Sequence, residues 1–221
     1  MKNNRILIIT GGSISIEFVK DYLKAHTFDV IIAVDKGLVT ADKLNLNLQY
    51  IVGDFDSAPS ELVQKYKNSI SNGSTTIKEY NPMKDATDTQ IAIELAITLN
   101  ASEIVMLGAT GTRMDHALAN IYLLTLPLVR DIAAYIIDEH NKIYLLNQNA
   151  ILYKDKLFGD YVSLQPLTEV VYGVTLEGFK YPLIKRDMKR EDSLGISNEV
   201  VGESANILLQ SGILVVIESK D

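Results

Sequence analysis

The 221-residue sequence contains no cysteine. This absence excludes disulfides, thiolate nucleophiles and cysteine-based zinc sites. No run of apolar residues approaches the roughly 20 that are needed to cross a bilayer, and the first ten residues lack the long apolar stretch of a signal peptide. We therefore expect a cytoplasmic protein without a membrane partner.

Clustered positive charge is also missing. The formal net charge is −7 at pH 7, and lysine and arginine form no continuous run. A partner that binds through its nucleic-acid backbone is therefore not expected. The hydrophobic content of 47% is that of an ordinary globular protein. The length allows either one large domain or two modest ones.

Strand and helix patterns alternate in the first half of the sequence. The strand patterns cover 5–10, 30–34, 50–52 and 104–107, and the helical patterns cover 16–23, 60–67 and 86–99. Such alternation predicts a parallel sheet. Ligands of parallel sheets bind beyond the carboxyl ends of the strands, where the polar motifs of this sequence fall.

The pattern changes after about Pro127. Strand patterns then follow one another at 132–137, 142–146, 161–165, 170–177 and 213–218, with little helical periodicity between them. We therefore predict an α/β fold with an N-terminal parallel-sheet domain at 1–128. A C-terminal antiparallel β-sandwich domain is expected at 129–221.

The first motif, Gly53-Asp54-Phe55-Asp56-Ser57, follows a short strand. Side chains alternate in extended chain, so Asp54 and Asp56 point to the same side. Two adjacent carboxylates repel each other unless a cation lies between them, and Mg²⁺ prefers such oxygen ligands together with phosphates. On its own, however, an Asp-x-Asp is more often a solvated turn.

The second motif, Lys84-Asp85-Ala86-Thr87-Asp88, opens a predicted helix. The spacing places Asp85 near the N-cap and Asp88 about one turn in. Helix capping alone explains acidic residues at such positions. Because Asp88 is not needed for capping and Lys84 could hold a phosphate, a metal-nucleotide site is the functional interpretation.

The third motif runs from Gly108 to His116, between a strand and a helix. Glycine lets the backbone approach phosphate oxygens, a helix N-terminus offers N–H groups, and Arg113 can pair with phosphate bidentately. The motif matches neither the P-loop nor the dinucleotide pattern, and glycine-containing turns before helices are frequent without function. For His116, a structural role and a catalytic role both remain open.

Taken together and in this order, the three motifs resemble the signature of thiamine pyrophosphokinases. The resemblance continues at Asp35-Lys36-Gly37, which is similar to the family's Asp-Gly-Gly, and at 195–199, which is similar to its late Ser-Asn-Glu element. It implies an α/β ATP-binding domain, then a β-sandwich that binds thiamine and mediates dimerisation, in a homodimer with thiamine bound near the subunit interface. Lys36 replaces the glycine that is usual at the second position of this motif, which weakens the assignment of Asp35.

The resemblance also assigns residues to roles. Mg²⁺ binding and catalysis fall to Asp54, Asp56, Asp85 and Asp88. Nucleotide binding falls to Asp35, Lys84, Gly108, Thr110, Gly111, Arg113, Asp115 and His116. Thiamine binding falls to Ser197 and Asn198. The implied reaction is attack by the thiamine hydroxyl on the β-phosphorus of ATP, with the proton accepted by a carboxylate such as Asp54 or Asp85, or released through acidification by the metal.

Three other interpretations use the same residues. Asp54 and Asp56 could be the nucleophile and acid of an aspartate-dependent phosphatase, but that motif normally follows the first strand. They could instead hold the metal of a nucleotide-sugar glycosyltransferase, which leaves 108–116 unexplained. A nucleotide-binding sensor without turnover is the non-enzymatic alternative.

Overall fold

Two units, Met1–Glu139 and His140–Asp221, divide the chain. The computed structural model describes residues 4–54, 59–69, 75–79 and 86–221. The division falls after residue 139 rather than after 128, where the sequence pattern indicated it. The reason is that Ala133–Ile137 pairs in parallel with Glu103–Leu107 and so extends the first unit's sheet.

A parallel sheet forms the centre of the first unit, as predicted. Its strands are β1 (Arg5–Ile9), β2 (Val30–Val34), β3 (Tyr50–Gly53), β4 (Thr76–Glu79), β5 (Glu103–Leu107) and β6 (Ala133–Ile137). They lie in the order β4-β3-β2-β1-β5-β6, and every pairing is parallel. Residues Ile6 to Ile9 of β1 have no exposed surface. Their unbroken apolar character is typical of a strand that is covered on both faces.

Six helices occur in the described part of the first unit. They are α1 (Ile16–Ala25), α2 (Gly37–Lys43), α3 (Ser60–Ser69), α4 (Asp88–Thr98), α5 (Met114–Leu123) and α6 (Thr125–Leu128). Ser15 caps α1, since its hydroxyl accepts a hydrogen bond from the Phe18 N–H at 3.2 Å. The Ser15 N–H in turn donates to a Glu139 carboxylate oxygen at 2.6 Å.

The start of α4 differs from the prediction. Thr87 is the N-cap, in extended conformation, and its hydroxyl accepts the Gln90 N–H at 3.2 Å. Asp88 is therefore the first helical residue and does not lie a full turn inside the helix. The sequence pattern favoured Asp85 because aspartate and threonine are both good N-caps and the motif contains both. Asp85 itself lies outside the described residues.

Chain order and strand order diverge at the middle of the first sheet. From β1 the chain proceeds outward through β2 and β3 to β4, and it then crosses to β5 on the other side of β1. From β1 the chain therefore continues toward β2 on one side of the sheet, and from β5 it continues toward β6 on the other. In open α/β sheets this divergence creates the crevice in which ligands bind.

Antiparallel strands build the second unit. They are β7 (Asn141–Leu146), β8 (Ala150–Tyr153), β9 (Tyr161–Pro166), β10 (Val170–Glu177), β11 (Leu183–Lys189), β12 (Ser204–Leu208) and β13 (Leu214–Ser219). One set has the order β7-β13-β9 and the other has the order β11-β10-β12-β8. Val162, Val174 and Val216 are fully buried. The predicted α/β fold with a following antiparallel domain is confirmed.

The sequence pattern missed several elements. These are α2, α6 and the strands β4, β8, β11 and β12. Of the seven residues in β11, only Met188 is buried, and the strand lies at a sheet edge. An edge strand carries many charged side chains, so its apolar alternation is weak. None of the helices in the described part of the chain combines the length and the apolarity that a bilayer span requires.

Candidate nucleotide site at the sheet edge

A cavity of about 640 Å³ lies at the carboxyl ends of β1, β2, β3 and β5, and we refer to it as the carboxyl-end cavity. Its lining comes from the loops that follow these strands and from the starts of α4 and α5. Predicted site residues that line it are Asp35, Asp54, Asp88, Gly108, Thr110, Gly111, Arg113 and His116. Separate stretches of sequence thus meet at the edge that parallel-sheet topology indicated.

Main chain packs against main chain at the centre of the cavity wall. The Gly12 N–H donates to the Gly108 carbonyl oxygen at 3.0 Å. A Cβ atom added at Gly12 would lie 2.1 Å from that oxygen, closer than any side chain tolerates. The loops after β1 and β5 can approach this closely only because position 12 has no side chain.

The Asp-Lys-Gly segment after β2 places its glycine where the backbone needs it. A Cβ atom at Gly37 would lie 2.0 Å from the Ile9 carbonyl oxygen, so the close approach belongs to position 37. Lys36 has ordinary helical angles and an exposed side chain that lines the cavity. Replacement of the glycine at the second position of the family's motif by Lys36 therefore leaves the turn intact and adds a cation.

Three carboxylates, those of Asp35, Asp54 and Asp88, belong to the cavity lining. Asp35 has a φ of 46°, a left-handed conformation that aspartate tolerates better than most residues. Its N–H donates to the Val52 carbonyl at 3.1 Å, which fixes the turn from β2 into α2. The other two predicted metal ligands, Asp56 and Asp85, lie outside the described residues.

Within the described ranges, no group of three or more acidic or histidine side chains is close enough to hold a metal ion by itself. Mg²⁺ sites in nucleotide-binding proteins commonly use one or two carboxylates, with phosphate oxygens and water as the remaining ligands. Asp54 and Asp88 supply hard oxygen atoms of that kind at one cavity. The described residues therefore fit a metal that arrives together with a nucleotide.

Arg113 and Asp115 form an ion pair at the start of α5. The guanidinium donates to both carboxylate oxygens, at 2.5 and 3.1 Å, and the His116 N–H donates to the same carboxylate at 2.9 Å. These bonds lower the pKa of Asp115 to about 2, the Arg113 bond having the largest effect. Asp115 is not part of the cavity lining, so its structural role is to hold Arg113 at the rim.

The N–H groups of Thr110, Gly111 and Thr112 have no hydrogen-bond acceptor among the described residues. All three residues line the cavity. Successive N–H groups before a helix N-terminus form a concave site for an anion. His116 follows on the first turn of α5 and is also exposed to the cavity. Lys84, the other predicted cation, lies outside the described residues.

Two buried polar residues of this wall were not predicted. Thr10 and Asn120 are 5% and 7% exposed, and both line the cavity. A polar residue at an inner position of an otherwise apolar helix face was the available signal for Asn120. Thr10, at the end of a strand pattern, gave no such signal.

The predicted thiamine residues belong to the second unit, and the structure gives them different roles. Ser197 is exposed and its N–H donates to the Ser163 hydroxyl at 3.0 Å. Asn198 is 4% exposed. Its amide accepts the N–H groups of Tyr181 and Glu199, both at 3.0 Å, and donates to the Tyr181 carbonyl at 2.8 Å. Asn198 therefore fixes the backbone of Tyr181.

Tyr181 was not predicted as a site residue. Its side chain is 59% exposed although the backbone beneath it is held on both sides by Asn198. The Lys180 ammonium lies 5.8 Å from the centre of the Tyr181 ring and pairs with Glu199. An aromatic ring that is fixed in place and open to solvent provides a face on which an aromatic or cationic ligand can stack.

The fold and the cavity together define an α/β protein with a candidate ligand site at the carboxyl ends of a parallel sheet. A family model described as the catalytic domain of thiamin pyrophosphokinase matches residues 20–136. A second model, described as the vitamin B1 binding domain of the same enzyme, matches 148–214. The chain belongs to the thiamin pyrophosphokinase family. It is accordingly a kinase-type transferase of thiamine diphosphate biosynthesis.

Individual proteins agree with the family models. The thiamine pyrophosphokinase of Bacillus subtilis is 31% identical over 98% of this chain and 99% of its own length. The crystal structure of that enzyme superimposes with a TM-score of 0.86 over 99% of this chain and all of the other. The enzyme from Geobacillus thermodenitrificans gives a TM-score of 0.83 at 31% identity, covering 98% of each chain.

Both enzymatic alternatives raised by the sequence lose their basis. Asp54 follows β3, the third strand of the sheet, and not the first strand where the phosphatase motif is expected. Most of the stretch 108–116, which the glycosyltransferase interpretation left unexplained, lines the carboxyl-end cavity.

Proposed function

We propose that this chain transfers the pyrophosphoryl group of ATP to the hydroxyl of thiamine, giving thiamine diphosphate and AMP. The observation that carries the proposal is the carboxyl-end cavity, which is lined both by Asp54 and Asp88 and by a loop with open N–H groups. In the reaction the thiamine oxygen bonds to the β-phosphorus and the bond from that phosphorus to the α,β-bridging oxygen breaks. The hydroxyl proton leaves to an acceptor, and AMP departs.

The ATP phosphates would be bound by the loop after β5. Thr110 and Gly111 would donate backbone N–H groups to phosphate oxygens, and Arg113 would add a bidentate contact from the rim. Asp115 would act through Arg113, because its carboxylate orients the guanidinium. His116, beside this loop, would contact the nucleotide as well. Such fixed donors stabilise charge that develops on the transferred group.

Asp54 and Asp88, with Asp56 and Asp85, are proposed to hold Mg²⁺. A bound Mg²⁺ would neutralise phosphate charge and make the β-phosphorus more electrophilic. The carboxylates of this chain would orient the triphosphate for attack in line with the leaving oxygen. Either Asp54 or Asp85 could accept the hydroxyl proton, and Asp35 would contribute to the nucleotide side of the cavity.

Thiamine is proposed to contact the second unit at Ser197 and at the ring of Tyr181. Thiamine carries a cationic aromatic ring, for which the exposed face of Tyr181 is a suitable surface. Asn198 would affect thiamine binding indirectly, since its amide holds the Tyr181 backbone. The 59% exposure of Tyr181 supports its assignment as a ligand contact.

We further propose that the enzyme is a homodimer. Support comes from an exposed apolar stripe on α5, where Met114, Leu118 and Tyr122 are 76%, 49% and 50% exposed at helical spacing. Exposed apolar stripes of this kind are typical of protein interfaces. Light scattering coupled to size-exclusion chromatography should give a mass twice the 24.5 kDa of one chain.

The cytoplasmic location of the protein stays a prediction from its sequence.

The proposed reaction is tested by measuring its products. Purified protein is incubated with Mg²⁺-ATP, with and without thiamine, and AMP and thiamine diphosphate are separated by chromatography. The proposal expects equal amounts of both products, formed only when thiamine is present. Phosphate release without thiamine would instead support a phosphatase, and ATP binding without either product would support a sensor.

A further inference from the structure

Two consecutive carbonyl groups after β5 are held by buried side chains. The Gly108 carbonyl accepts a hydrogen bond from the Thr10 hydroxyl at 2.5 Å and another from the Gly12 N–H at 3.0 Å. The next carbonyl, that of Ala109, accepts the side-chain N–H of Asn120 at 2.7 Å. Thr10 comes from the end of β1 and Asn120 from the middle of α5, so the loop is held from two sides.

This arrangement decides which backbone groups of the loop remain available. A carbonyl oxygen carries negative partial charge and would repel a phosphate, whereas an N–H group attracts one. The donors on Thr10 and Asn120 engage the two carbonyl oxygens. The N–H groups of Thr110, Gly111 and Thr112, which follow directly, have no acceptor among the described residues.

We propose that Asn120 is a positioning residue for the phosphate-binding loop: by donating to the Ala109 carbonyl, it keeps that oxygen away from the ligand and presents the following N–H groups to the nucleotide phosphates. The inference rests on the proposed function for the identity of the anion, the triphosphate of ATP. Asn120 does not contact the reacting atoms in this role. It acts through the loop.

The burial of Asn120 supports this role. A buried amide on the inner face of a helix lowers the stability of the protein unless it is hydrogen-bonded. An apolar residue of similar size could pack at the same position without needing a hydrogen-bond partner. Asn120 is 7% exposed, between the buried Ala117 and Leu124. Its side-chain N–H donates to the loop and not to its own helix. The bond thus serves the loop conformation.

The test uses Asn120→Asp, which keeps the shape of the side chain but replaces the donor by an oxygen. At pH 8 the ionised carboxylate would repel the Ala109 carbonyl, whereas at pH 6 the protonated acid could donate in place of the amide. Burial disfavours the charged form of a carboxyl group, so protonation at this position is favoured as the pH falls. Mg²⁺-ATP affinity is measured by calorimetry without thiamine, at both pH values, as a ratio to the unmodified protein.

We expect Asn120→Asp to bind Mg²⁺-ATP about tenfold more weakly at pH 8 and to recover at least about threefold at pH 6. The ratio removes the contributions of the cavity's own charged groups. Among the described residues those groups are Asp35, Lys36, Asp54, Asp88, Arg113 and His116. Asn147→Asp, at an exposed position between β7 and β8, is the charge-matched control and should bind as the unmodified protein does. Affinity within about twofold of the unmodified value, or an equal loss at both pH values, would overturn the proposal.

A second variant, Asn120→Ala, tests the positioning role of Asn120 if Asn120→Asp does not fold. For Asn120→Ala, the KM for Mg²⁺-ATP should rise about tenfold with the KM for thiamine unchanged, and an equal rise in both would overturn the proposal. Failure of the proposed reaction would look different. The unmodified protein would then bind Mg²⁺-ATP without forming thiamine diphosphate, and the affinity comparison would still decide the role of Asn120.

Discussion

The two units build their candidate ligand surfaces by opposite means. In the first unit, backbone segments pack directly against each other to form the wall of the carboxyl-end cavity. Gly12 and Gly37 permit this contact because they have no side chain. In the second unit a side chain does the positioning, since the amide of Asn198 holds the backbone beneath an exposed Tyr181. The first surface exposes N–H groups for an anion, and the second exposes an aromatic ring.

The two surfaces therefore tolerate different substitutions. A main-chain wall is disturbed by adding atoms, because there is no free volume in which a new side chain could lie. A side-chain clamp is disturbed by removing atoms, because buried backbone groups then lose their partners. Changes in the first unit should alter ATP binding, and changes in the second unit should alter thiamine binding. Four predictions test this division.

The largest effect is expected for Asp54→Asn. Loss of one carboxylate at the proposed metal site should lower kcat at least about 100-fold, the scale found when a group that stabilises transition-state charge is removed. AMP formation in the presence of thiamine is the measurement. Asp160→Asn, at an exposed position in the second unit, is the matched control. If both variants turn over alike, Asp54 has no part in the reaction.

Next comes Gly12→Ala. The added methyl group would lie 2.1 Å from the Gly108 carbonyl oxygen, so the two loops must separate. We expect the free energy of unfolding to fall by about 1–3 kcal/mol and Mg²⁺-ATP affinity to fall with it. Thermal unfolding and calorimetry provide both values. Gly202→Ala is the control, since its nearest neighbouring atom would be 3.8 Å away. Unchanged ATP affinity in Gly12→Ala would show that the wall is not part of the site.

A smaller and more selective effect is expected for Asn198→Ala. The change removes three hydrogen bonds, two of them to Tyr181, and should lower the free energy of unfolding by about 2 kcal/mol. The KM for thiamine should rise about tenfold while Mg²⁺-ATP affinity stays constant. Asn206→Ala, which removes one exposed hydrogen bond in the same unit, should leave both values unchanged. Weakened ATP binding in Asn198→Ala would break the proposed division between the units.

The smallest effect is expected for Lys36→Met. This variant keeps most of the aliphatic side chain and removes only the charge at the cavity rim, so the KM for Mg²⁺-ATP should rise about threefold at low ionic strength. Salt screens exposed charges, and the difference should disappear near 0.5 M salt. Lys43→Met, in the last turn of α2, serves as the control. A difference that persists at high salt would point to packing rather than charge.

Much of the first unit could be predicted from its sequence, and the reason is physical. Strands such as Val30–Val34 are covered on both faces, so they appear as unbroken apolar runs whose limits are clear. Because parallel strands end at one edge, the motifs at 53–57, 84–88 and 108–116 could be expected to lie together. Of these, the cavity includes Asp54, Asp88 and most of the third motif. The roles of these residues stay predictions.

What could not be predicted depends on contacts between distant residues. Thr10 and Asn120 meet the loop after β5 only in the folded chain, and neither belongs to a recognisable motif. Asn198 stood in a recognised motif, but its sequence gave no indication that its amide reaches Tyr181, 17 positions away. Edge strands such as β11 were missed because charged side chains obscure their alternation.

The clamped and exposed Tyr181 also makes this chain easy to observe by fluorescence. The sequence contains no tryptophan, so Tyr181→Trp would introduce a single indole at the proposed thiamine contact. Emission excited at the red edge of the protein spectrum would then come from that position alone. Because Asn198 fixes the backbone on which the ring is mounted, a change in its emission would report an encounter with ligand at this surface rather than motion of the chain.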